Sequence, residues 1–113
     1  MTSVLLVHGA NGAFISCRAE GHADFAAAGT DIVCSAVTVL LRTVMQTLSD
    51  TDGVKLEADT SARGKLFFSA RAEQPSPGTE IRLTYAEDFL EHGLQSLAEE
   101  YPDNVELRIL TGK

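Results

Sequence analysis

Two segments of this chain carry apolar residues at a helical period, and the other regular segments carry them at a period of two. Val33, Val37, Leu40, Leu41, Val44, Met45 and Leu48 line one side of a helix, a stripe that folding must bury. Ala86, Leu90, Leu94, Leu97 and Tyr101 form a second stripe. It predicts a helix from roughly Tyr85 to Glu100, ended by Pro102 and weakened at Gly93. Short strand-like runs surround the helices at Ser3–His8, Ala13–Ala19, Val54–Asp59, Lys65–Ala72 and Val105–Ile109. In the second of these, Ala13, Ile15, Cys17 and Ala19 share one face, and Phe14, Ser16 and Arg18 the other. Asn11-Gly12 is a hairpin turn, Ser49 to Gly53 a polar breaker, and Glu73 to Gly78, with Pro75 and Pro77, a loop. The order ββαββαβ predicts one α/β (α+β) domain over residues 1–113, with one mixed or antiparallel sheet carrying both helices on one face. The length of 113 residues is near the common domain size and is enough for a core without disulfide or metal. Phe14, Phe67 and Leu110 fall on the opposite sheet face. They point to partial cover of that face by self-association.

Charge narrows the partners. The net charge is −7 and the nine basic residues form no run, which argues against a nucleic-acid grip through phosphates and favours a basic protein partner. Cys17 and Cys34 make neither a disulfide framework nor a CxxC pair. His8, His22, Cys17 and Cys34 match no zinc spacing, and His92 belongs to a solvated stretch of the second helix, so no metal or other cofactor is expected. The amino-terminal run lacks the basic n-region of a signal peptide, and no apolar stretch approaches the ~20 residues of a membrane span. The expectation is a cytoplasmic protein without membrane contact.

The chemistry concentrates between Gly21 and Thr38. His22 and Cys34 lie twelve residues apart, on either side of a segment rich in Gly and Ala. A one-turn helix stopped by Gly29, with Asp31 as the cap of the next helix, places Cys34 in that helix's first turn. Free N–H groups there favour a thiolate and can receive an oxyanion, and His22 can take and return the thiol proton. Asp31 either orients His22 or simply caps and locks the loop, and a carboxylate beside Cys34 would oppose the thiolate. Thr38, one turn after Cys34, either touches the site or back-bonds to its helix. Gly21 and Gly29 can take positive φ and let a peptide approach, while Ala23 and Phe25 belong to the same loop. Residue types alone favour a buried, inert Cys34, since cysteine is among the most buried residues.

The full string, G-H-A-x(5)-G-x-D-I-V-C-S-A-V-T from Gly21 to Thr38, resembles the motif of the ribosomal-processing cysteine protease family. The two preceding strands, the element order and the length agree with it. The resemblance implies a small α/β, usually dimeric bacterial cysteine endopeptidase that removes a short N-terminal extension from a large-subunit ribosomal protein, cutting after an aromatic residue. It implies Cys34 as nucleophile and His22 as catalytic histidine, with Asp31 at an acidic position of the motif and Thr38 where serine is common. Acidity of the whole chain suits a basic ribosomal substrate. Two other readings stay open: a non-catalytic ribosome-associated binding module, and a thiol hydrolase of another amide.

Overall fold

The computed structural model of the chain describes residues 1–21, 28–62 and 64–112, with backbone alone at 28–31. Seven elements follow in the expected order: β1 (Thr2–His8), β2 (Phe14–Glu20), α1 (Ala28–Ser49), β3 (Val54–Asp59), β4 (Lys65–Ala72), α2 (Pro77–Glu100) and β5 (Val105–Thr111). The strands form a single sheet in the order β3-β4-β2-β1-β5. The β1–β5 pair is parallel and the other three pairs are antiparallel, so the sheet is mixed and the fold is a single α+β domain.

Register decides what faces the helices. Val4 opposes Ala19 and Leu107, Leu6 opposes Cys17 and Ile109, and Cys17 opposes Phe68. These rows meet Val33, Val37, Leu41, Val44 and Leu48 of α1 and Leu83, Leu90 and Leu94 of α2 in one core. The opposite face carries Leu5, Val7, Ser16, Arg18, Phe67 and Ser69 in matching rows, with the Arg18 guanidinium 5.1 Å from the centre of the Phe67 ring. Both helices therefore cover one sheet face.

Three expectations need correction here. Phe14 does not lie on the uncovered face. The β1–β2 register shifts between Val7, which pairs with Ser16, and His8, which pairs with Phe14. One extra residue, Ile15, is thus accommodated by a bulge. Phe14 turns into the core, where its ring stacks on Phe68 at a centroid distance of 5.2 Å. The second helix starts at Pro77, two turns before the expected Tyr85. Ser76 caps it by accepting a hydrogen bond from the Thr79 N–H at 3.2 Å, and Pro77 occupies the first turn, where its missing N–H costs nothing. Finally, Ile32–Ser49 is an 18-residue window long and apolar enough to cross a membrane by length and composition, contrary to the expectation that none approaches that length. In the fold it is the core helix, with Val33, Val37, Leu41, Val44 and Leu48 buried.

Gly93 sits where the helices meet. A Cβ there would lie 2.8 Å from Leu40 Cδ2 of α1. The weak point of the α2 stripe is thus a point of close contact with α1, which trades helix propensity for that contact.

Candidate active site

Cys34 is the seventh residue of α1, which starts at Ala28. This corrects the expected arrangement, in which Asp31 capped the helix and Cys34 lay in its first turn. Ala28 is the best of helix formers, Gly29 does not stop the chain, and Asp31 falls within the opening turn, where the helix dipole favours a carboxylate. The unbonded N–H groups of a helix end belong to its first turn. Cys34 lies beyond it, so the first-turn donors assigned to the oxyanion are not those around Cys34.

Tertiary structure supplies Cys34 with a different neighbour. The Thr2 hydroxyl at the start of β1 lies 3.3 Å from Cys34 Sγ. Thr2 is itself buried, because it keeps phase with Val4 and Leu6 on the core face. Gly21, just past β2, packs on Thr2: a Cβ there would stand 3.2 Å from Thr2 Oγ1. The Gly21 N–H donates to the Gly64 carbonyl at 2.8 Å, which pins the end of β2 to the β3–β4 turn. Gly21 is not at positive φ, so its role here is close approach and not the left-handed turn expected of it. Gly29 lies within helix α1 and is not at positive φ either.

These groups open onto a cavity of about 380 Å³, a size suited to a side chain or small ligand. Cys34, Thr38, Thr2 and Gly21 line it, and Arg42 and Lys65 add two cations. Its apolar part comes from Val37, Leu41 and Leu66. Thr38 is exposed and shares the cavity with Cys34, as their one-turn spacing implied. His22, Ala23 and Phe25 lie outside the described residues, and so does the Asp31 side chain.

Sequence reading missed Thr2, Arg42 and Lys65. For Thr2 the available signal was phase: position 2 continues the buried alternation of Val4 and Leu6. For Arg42 and Lys65 there was none, because the cavity forms where α1 packs beside the β3–β4 turn, a tertiary contact that no local pattern reports.

The two thiols differ sharply. Cys34 is half-buried and Cys17 buried. Burial, and secondarily the negative charge of Glu87, pushes the Cys17 thiol up to about 12, so Cys17 is a core residue that resists ionisation. A thiol nucleophile with a neighbouring hydroxyl on a cavity wall suits acyl transfer. Among the described residues only Cys34 offers it.

Comparison with known proteins agrees with this chemistry. The family model for cysteine protease Prp matches residues 1–106. No curated protein matches the chain. Solved structures with the same fold include SMU.848 from Streptococcus mutans, at 24% identity and TM-score 0.76, covering 99% of this chain and 96% of that one. The essential ribosomal processing protease Prp from S. aureus in complex with a substrate peptide is 20% identical with TM-score 0.77, over 96% of this chain and 99% of that one. The same protease with a covalently linked product peptide is 21% identical with TM-score 0.69, over the same shares of the two chains.

Proposed function

The chain belongs to the cysteine protease Prp family, and on that premise we propose that it is an endopeptidase that removes a short N-terminal extension from a large-subunit ribosomal protein. Cys34 is the nucleophile and His22 the general base and acid. The observation that carries this reading is the Cys34 Sγ on the cavity wall, 3.3 Å from the Thr2 hydroxyl, in a chain whose other thiol is sealed in the core.

In the first step His22 takes the thiol proton and Cys34 Sγ attacks the scissile carbonyl. The C–N bond breaks, His22 returns the proton to the leaving amine, and a thioester remains on Cys34. Water, deprotonated by His22, then hydrolyses the thioester and restores the thiol. A thiolate accepts hydrogen bonds but does not donate them, so during attack the Thr2 hydroxyl is the donor and steadies the anion. The complexes of the S. aureus protease with substrate and product peptides support a peptide substrate for this chain, and its net charge of −7 suits a basic ribosomal protein. We place the reaction in the cytoplasm. We also propose that the enzyme works as a homodimer, not through the uncovered sheet face expected from sequence, where Phe14 is withdrawn into the core and Arg18 lies over Phe67, but through the exposed Ile32, Val39 and Phe89 of the helix layer.

The test is incubation of the purified protein with the ribosomal protein of its own host, beside the Cys34→Ala and His22→Ala variants, read by intact mass. Loss of one defined N-terminal fragment with wild type alone is the expected result. Equal cleavage by a folded Cys34→Ala variant would refute the nucleophile assignment.

A further inference from the structure

A second group of chemically capable side chains lies far from Cys34. His8 ends β1, and Glu87 and Glu91 occupy successive turns of α2. One ligand atom from each lies within 4.8 Å of the other two. Glu87 is 1% exposed; when ionised, neither of its carboxylate oxygens receives a hydrogen bond, and its side-chain neighbour is the Glu91 carboxyl, a partner only while one of the two holds a proton. A buried carboxylate in that condition is costly, and its orphaned oxygens mark a place where a positive charge is wanted. His8 is set up to complement it. Its Nδ1 lies 2.8 Å from the Gly9 carbonyl oxygen, which can only accept. Nδ1 therefore carries the proton, and the neutral ring presents Nε2 as a free lone pair, the arrangement found behind metal-bound histidines.

We propose that His8, Glu87 and Glu91 form a site for a divalent transition-metal cation of the Zn(II) class. One imidazole and two carboxylates suit Zn(II) and its neighbours. Bonds of ~2.0–2.2 Å to such ligands hold donor atoms closer together than they stand here. The side chains of His8 and Glu91, both half-buried, close the remaining gap by rotamer adjustment. The cation joins the end of β1 to the middle of α2 and pairs with both carboxylates. Thr2, beside Cys34, and His8 stand at opposite ends of β1, roughly 20 Å apart at the rise of a strand. The site is thus structural and takes no part in the attack on peptide. Only one of its residues, His8, is among those the sequence brings to attention for metal binding, and its partners come from α2.

The experiment uses chelator-stripped Cys34→Ala protein, which removes the cavity thiol as a competing ligand. Zn(II) alone is titrated by calorimetry and against a chromophoric chelator, and thermal unfolding is followed with and without it. One equivalent should bind and raise the unfolding temperature. His8→Ala and Glu91→Gln, both at half-exposed positions that spare the buried Glu87, should each weaken binding about tenfold or more and abolish the thermal shift. His92→Ala, at the exposed histidine next to Glu91, should change neither. Absence of saturable Zn(II) binding overturns the site, and so does stoichiometric binding indifferent to both His8→Ala and Glu91→Gln.

Discussion

Replacing Gly21 by alanine tests whether the Thr2 hydroxyl governs the reactivity of Cys34. The added Cβ would lie 3.2 Å from Thr2 Oγ1, a few tenths of an ångström inside ordinary contact, and Thr2 would have to move. Its hydroxyl is 3.3 Å from Cys34 Sγ, so the displacement acts on that hydrogen bond. A hydrogen bond of this kind contributes about 0.5–1.5 kcal/mol; its loss leaves fewer thiolates, but each is more nucleophilic, which regains about half of the effect, so alkylation slows roughly twofold to fourfold. The backbone tolerates the change, since Gly21 is not at positive φ. Loss of a glycine also lowers the entropy of the unfolded chain, worth about 0.4–1 kcal/mol in favour of folding where the fit allows. The assay is the second-order rate of Cys34 alkylation at pH 7 by intact mass, beside urea unfolding. Slower alkylation with stability nearly unchanged is expected. Thr2→Val should reproduce it, and the Gly21→Ala/Thr2→Val double variant should be no slower than either single one, because both act on one contact. Wild-type alkylation in Gly21→Ala, or rate losses that multiply in the double variant, would refute the reasoning.

Two further predictions concern the core. With its thiol pushed up to about 12, Cys17 has only about one molecule in 10⁴ ionised at pH 8, some three orders of magnitude fewer than an ordinary cysteine. Iodoacetamide at pH 8 should therefore label Cys34 once and leave Cys17 unmodified until denaturant is added, as peptide mapping would show. Burial first, and then the neighbouring Glu91 and Asp88 carboxylates, hold the Glu87 carboxyl up to about 8 in the native state, against an ordinary 4.5. Between those values the native chain keeps a proton that the unfolded chain releases, so stability falls as pH rises, by up to about 1.4 kcal/mol per pH unit. In chelator-treated protein, urea midpoints should drop from pH 5 to pH 7.5, and Glu87→Gln should flatten that slope; an equal slope in the variant would exclude Glu87 as its source.

Element order and the family motif were legible because both are local. Periods of two and of 3.6 report which side of a segment is buried, and those periods placed the strands and α1. The His22–Cys34 spacing is a property of one short segment, and a family motif can be recognised there without any knowledge of packing. Boundaries fared less well. Ser76-Pro77 is a helix start in local terms, with cap and first-turn proline, but Pro75 and Gly78 around it read as loop. At Ala28–Asp31, two stop and start signals, Gly29 and Asp31, were outweighed by helix continuity.

The chain by itself thus determined that it forms two amphipathic helices and five short strands, and that it carries a thiol and an imidazole in one motif. Tertiary structure decided the rest. A bulge of one residue sent Phe14 into the core, because a strand's faces exchange with every single-residue shift. Packing of α1 on the sheet brought Cys34 to Thr2, 32 positions away, and β1–α2 packing gathered His8, Glu87 and Glu91 at the far end of the same strand. Such neighbours are not encoded in any one segment's pattern, since they arise only where separate elements are pressed together to bury their apolar faces.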